Sequence, residues 1–184
     1  MSHLEILEAE LQKFQLQLTS HQKSLLSRYC DELVRWNQNI NLTGLAGAEM
    51  VRRLVVEPVW IGLQLGFTGT LADIGSGNGS PALPIHIACS LEKSHLIEAR
   101  LKRAAFLRQM VLVLPLPGVV VHHCRFEDIA ASLGMVDWIT RRTPWGSSPK
   151  SSRTECARRM SGASLSVWEP SASAACRSGA SSSI

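Results

Sequence analysis

Between Leu71 and Pro84 the sequence reads LADIGSGNGSPALP, with the spacing D-x-G-x-G-x-G at Asp73, Gly75, Gly77 and Gly79. Alternating glycines let a backbone turn sharply and approach a bound molecule closely, because no Cβ stands in the way. Two phosphate-binding loops fail on inspection. A P-loop ends in Gly-Lys-Ser/Thr, whereas Gly79 is followed by Ser80 and Pro81. A dinucleotide fingerprint needs glycine or alanine at the end of G-x-G-x-x-G/A, and counted from Gly75 that position is Ser80. Asp73, directly before the turn, repels a pyrophosphate but suits a ligand that carries an ammonium group. Glu98 follows 25 residues later. A carboxylate there can accept hydrogen bonds from both hydroxyls of a ribose.

These residues need a frame that brings them together, and the flanking sequence supplies one. TLADI (70–74) reads as a strand entering the glycine turn, and SPALPIHIAC (80–89) as the helix after it. SHLIEA, GVVVHHC and MVDWIT read as three further strands, with RLKRAAFLRQMVLVL and FEDIAASLG as the helices between them. Strands alternating with helices predict a parallel, doubly wound α/β sheet. Ligands of such sheets lie beyond the carboxyl ends of the strands, which is where DIGSGNG falls.

Upstream, Leu4, Leu7, Leu11 and Phe14 recur at helical spacing. Thr19 and Ser20 offer capping oxygens to a second helix whose apolar stripe runs Leu25, Leu26, Tyr29, Leu33, Trp36. A third helix is expected over about 48–65, with Val51, Leu54, Val55 and Trp60 inward. The expected organisation is a helical cap at 1–66, an α/β ligand-binding domain at 67–142, and a tail at 143–184. The tail is rich in serine, arginine and alanine, with no sustained period and no apolar run suited to a buried strand. It reads either as a disordered basic tail or as text translated out of frame from near Arg141. The sheet is therefore expected to lack its C-terminal part.

Composition narrows the field further. Acidic and basic residues nearly cancel through residue 140, so the formal charge of +4 comes from the tail and does not mark the folded part as a nucleic-acid binder. The five cysteines, at 30, 89, 124, 156 and 176, show neither a disulfide framework nor CxxC spacing. In the HHC run at His122–Cys124, neighbouring side chains of a strand point to opposite faces, which argues against a metal site. No apolar run approaches a membrane span of about 20 residues, and the first residues lack the apolar core of a signal peptide. A cytoplasmic monomer is the expectation.

The acid, glycine loop and second acid resemble the cofactor loop of class I S-adenosylmethionine methyltransferases. RWNQNINLTGL (35–45), DIGSGNGSPALPI, EARLKRAAFLRQM, CRFED and VDWITRR occur in one order. Together, over residues 18–142, they resemble the bacterial small-subunit (16S) rRNA guanine-N7 methyltransferases, also called glucose-inhibited division protein B. The resemblance implies a Rossmann-like fold and S-adenosylmethionine-dependent methylation of a guanine N7 in small-subunit rRNA. It implies that Gly75 and Ser80 lie along the cofactor, that Asp73, Gly77 and Gly79 shape the loop, and that Glu98 holds the ribose. Phe126 and Glu127 would line the adenine. Arg142, or its neighbour Arg141, would stand at the mouth of the site. Lys102 and Arg103 would meet RNA phosphates. Trp36, Asn37, Asn41 and Thr43 belong to the cap, Trp36 on its apolar stripe and Asn41 and Thr43 in a chain-turning role.

Three positions depart from the family pattern: Ala82 where a glycine is usual, Arg53-Leu54 where an Arg-His pair is usual, and Pro58 where a serine is usual. The family's further strands and helices have no counterpart in the tail. No catalytic base is assigned, because guanine N7 already carries a free lone pair and alignment with the methyl donor can do most of the work. Two other readings stay open: methyl transfer to a protein or small molecule, and a non-enzymatic module that grips nucleic acid with its serine-rich tail.

Overall fold

The computed structural model describes residues 1–144, 152–160 and 164–168, with side chains through Arg141. Two helices open by reciprocal caps. Ser2 Oγ accepts the N–H of Glu5 while Glu5 Oε2 accepts the N–H of Ser2, starting α1 (His3–Lys13). Thr19 and Gln22 repeat the arrangement at α2 (Ser20–Asn37), at the cap read from the sequence. The buried face of α1 runs through Leu7, Glu10 and Leu11. Leu4, expected on that stripe, lies in the first turn and is 39% exposed.

The helix expected at 48–65 is continuous but not uniform. It comprises α3 (Gly47–Val51), a π-helical turn (Arg52–Val56) and α4 (Glu57–Leu65). Pro58 has no N–H for the carbonyl four residues back, and its ring crowds that carbonyl. The turn ahead of it is widened, so that Glu57 N–H reaches the Arg52 carbonyl. Gly66 then ends the helix with a φ of 66°.

The four predicted parallel strands are present: β1 (Thr70–Ile74), β2 (Lys93–Ile97), β3 (Val119–His122) and β4 (Trp138–Pro144). β1 pairs with both β2 and β4, and β2 with β3, all parallel. The crossovers are α5 (Ala82–Cys89), α6 (Leu101–Val113) and α7 (Phe126–Ile129). α7 is one short turn, not the helix expected through residue 134.

The sheet does not end at the fourth strand. β5 (Ser152–Met160) pairs antiparallel with β4, and β6 (Ser164–Trp168) with β5, giving the order β3-β2-β1-β4-β5-β6. The expected absence of strands in the tail is thus amended. A buried parallel strand needs a run apolar on both faces, and an antiparallel edge hairpin does not.

One apolar cluster joins the helical layer to the sheet, from Leu7 and Leu33 through Val59 to Leu71, Leu96 and Phe106. α2 also closes the ends of two crossover helices. Gln22 Nε2 donates to the carbonyls of Ile87 and Ala88 at 3.1 and 3.0 Å, and Arg28 Nη2 to that of Val113 at 2.9 Å. The last carbonyls of a helix lack partners within it, so these side chains serve α5 and α6 as caps.

His86, on α5, is buried with Nε2 donating to the Pro117 carbonyl at 3.1 Å and Nδ1 2.9 Å from Ser94 Oγ. Burial lowers its pKa below the ordinary 6.5, against a smaller opposing effect of the Pro117 bond. Below about pH 6.5 the unfolded chain therefore binds more protons than the folded one, and stability falls as pH falls. Urea unfolding between pH 7.5 and 5 should show this loss, with a shallower slope for His86→Gln.

Candidate functional site

The chain runs outward from β1 to β2 and β3, then returns to β4 on the other side of β1. This reversal is a switch point, where the connections at the strands' carboxyl ends diverge and leave a crevice. The glycine loop leaves β1 at that point. It folds over the end of β2, because the N–H groups of Gly75 and Ser76 both donate to the Ile97 carbonyl, at 2.8 and 3.1 Å. Glu98 is buried and closes the loop: Oε2 accepts Gly77 N–H at 2.9 Å and Oε1 accepts Arg100 N–H at 2.8 Å.

Gly75, Gly77 and Gly79 have φ of 74°, 53° and 85°, the region where a side chain is strained. Their surroundings separate their roles. A Cβ on Gly79 would lie 2.5 Å from Leu83 Cδ1, so this glycine serves close packing of the loop on α5. A Cβ on Gly75 would meet nothing within 4 Å, and Gly75 is exposed. Ser80 is buried, its N–H donated to Asn78 Oδ1 at 3.1 Å. Ala82 begins α5 without a positive φ, so its methyl adds no backbone strain.

Sequence reading missed two residues that hold this loop. Thr140 lies opposite Asp73 in the β1–β4 register, and its hydroxyl donates to Asp73 Oδ1 at 2.7 Å, both groups buried. Only the pairing of strands 67 residues apart places it there. Asn78 is also buried, with its carbonyl accepting the Tyr29 hydroxyl at 2.8 Å. Buried polar groups need such partners, and an asparagine inside a glycine-rich run was the available signal.

The other expected residues are placed as follows. Phe126, half-buried, and Glu127, exposed, open α7 directly after β3. Lys102 is exposed on α6, while Arg103 is half-buried and turns its guanidinium to the glycine loop and the Asn41 carbonyl. Arg141 pairs in register with Ile74 at the end of β1 and is exposed. Arg142 is in β4, and its side chain lies outside those described. Trp36 packs edge-on against Phe106, with ring centroids 5.8 Å apart, as a core contact. Asn37 Oδ1 accepts the N–H groups of Leu42 and Thr43 and so folds the turn after α2.

His122 contacts His95 across β2 and β3, Nδ1 of His95 lying 2.9 Å from Nε2 of His122. Burial lowers both, helped by Lys93, and His95 also feels His122. Among the described residues no group of three or more His, Cys, Asp or Glu is placed to hold a metal. Burial pushes the Cys30 thiol up to about 12 and Cys89 up to about 11, so neither presents a thiolate near neutral pH. No described helix is long and apolar enough to cross a membrane.

Residues 22–147 match the family model of the rRNA small subunit methyltransferase G. The chain belongs to that family. The family match ends a few residues past the point where the apolar periodicity of the sequence stops. Similar curated relatives are the ribosomal RNA small subunit methyltransferases G of Chloroflexus aggregans, 38% identical over 63% of this chain and 50% of that protein, and of Chromobacterium violaceum, 37% identical over 68% and 60%. That of Helicobacter hepaticus is 36% identical over 61% of each. The chain thus spans about half to three fifths of the length of these family members. Among solved structures it is similar to a protein-L-isoaspartate O-methyltransferase, at 8% identity and a TM-score of 0.43 over 76% of this chain and 60% of that one.

The two loop glycines should respond differently to alanine. Gly79→Ala adds overpacking against Leu83 to backbone strain and should destabilise by about 2–4 kcal/mol. Gly75→Ala carries strain alone and should cost about 1 kcal/mol. Guanidinium unfolding of the two variants measures the difference.

Proposed function

We propose that the chain binds S-adenosylmethionine at the glycine loop and carries the methyl-transfer half of a small-subunit rRNA guanine-N7 methyltransferase. The observation that carries the reading is the closure of the loop on Glu98. It leaves a carboxylate with further lone pairs in a loop whose Gly75 is exposed and has open space around it. Family membership supports it, since the relatives are named for methylation of small-subunit rRNA.

The residues fit such a ligand. Glu98 accepts hydrogen bonds from ribose hydroxyls, and Gly75 gives the backbone its close approach. Phe126 offers a ring face, and Glu127 the start of α7, to an adenine. The Asp73 carboxyl, fixed by Thr140 at the switch point, suits an ammonium group better than a phosphate. When bound, S-adenosylmethionine supplies a methyl group on a sulfonium, which the lone pair of guanine N7 can attack without a general base.

The chain's own contribution is then orientation and exclusion of water around the aligned atoms. Exposed Arg100, Lys102 and Arg108 on and beside α6 are the cations available to RNA phosphates. A cytoplasmic monomer acting on small-subunit rRNA completes the proposal.

Calorimetric titration of the purified chain with S-adenosylmethionine tests it, with Gly77→Val as the control. A branched side chain at a φ of 53° distorts the loop. Saturable binding that Gly77→Val abolishes is the expected result. A folded circular dichroism spectrum with no binding would overturn the cofactor assignment.

A further inference from the structure

Two consecutive carbonyls in the loop between α2 and α3 are held by side chains of α6 and the glycine loop. Arg103 Nη2 donates to the Asn41 carbonyl at 3.3 Å, and Asn78 Nδ2 to the Leu42 carbonyl at 3.4 Å. The loop is also braced from within, since Asn37 accepts two of its N–H groups and donates to the Thr43 carbonyl. A loop braced in this way follows the groups that hold it.

Arg103 faces two ways. Its Nη1 lies 3.8 Å from where a Cβ on Gly77 would stand, and Glu98 Oε2 lies 4.0 Å from the same point. Gly77 is buried, and the point where its Cβ would stand is lined by the Gly75 carbonyl at 3.7 Å as well as by this acceptor and this donor. Glu98 accepts, Arg103 only donates, and a vicinal diol such as that of ribose can satisfy both.

We propose that Arg103 is a positioning residue that links occupancy of the glycine loop to the placement of residues 38–46, the loop carrying the exposed Asn41. One prong of the guanidinium meets the ligand's sugar and the other keeps its hold on Asn41. The planar fork keeps its two prongs at a fixed separation, which the single ammonium of a lysine cannot do. This inference rests on the S-adenosylmethionine reading, and it gives Arg103 a duty other than contact with RNA phosphate.

Hydrogen exchange on the full chain, with and without saturating S-adenosylmethionine, tests the link. In the wild type the ligand should slow exchange in both 75–81 and 38–46. In Arg103→Lys, with affinity weakened by no more than about tenfold and ligand again saturating, 75–81 should still be protected while 38–46 should lose its response. Arg103→Gln gives the same comparison if the lysine variant fails to fold by circular dichroism. Protection of 75–81 alone in the wild type overturns the proposal, as does a variant that protects both segments like the wild type. A folded wild type in which neither segment responds overturns the cofactor reading, and the inference falls with it.

Discussion

Gly77 gives its peptide N–H to Glu98, 21 residues away in sequence, at 2.9 Å inside the protein. The rest of the site depends on this bond, because it is available only when β1 and β2 lie side by side in parallel register. A buried carboxylate is costly unless charge-assisted hydrogen bonds meet it, and here two backbone N–H groups do so. The same bond fixes the height of the glycine loop above the sheet. Positive-φ glycines supply the curvature, and the acid decides where the curve stops.

The helical layer contributes more than apolar cover. Tyr29 reaches the carbonyl of Asn78, and Gln22 and Arg28 reach the last carbonyls of α5 and α6. Each contact satisfies a backbone group that the α/β part leaves open at a loop or helix end. The site's floor and its helical neighbours are therefore stabilised together. The stacking of Phe67 on Trp138, with ring centroids 3.8 Å apart, joins the segment entering β1 to the start of β4.

The sequence was informative where a local period determines the outcome. Four alternating strands, the cap at Thr19 and the glycine loop followed from spacing and residue type alone. It was silent where a partner comes from far along the chain. Thr140 looks like any strand threonine until β4 lies beside β1, and Asn78 like any loop asparagine until Tyr29 arrives. The antiparallel hairpin at β5 and β6 was missed because edge pairing is made by backbone groups and leaves little trace in apolar pattern. Arg103, read as a surface cation, was turned toward the loop by the packing of α6, which only the assembled fold determines.

The widened turn at Arg52–Val56 carries a consequence of its own. An α-helix turns about 100° per residue, so one extra residue in a turn acts as a rotation of everything after it. In this segment chain length is converted into angle. A residue gained or lost there would be felt as a twist of α4 against α5, at the close approach where a Cβ added to Gly62 would stand 3.0 Å from Cys89 Sγ.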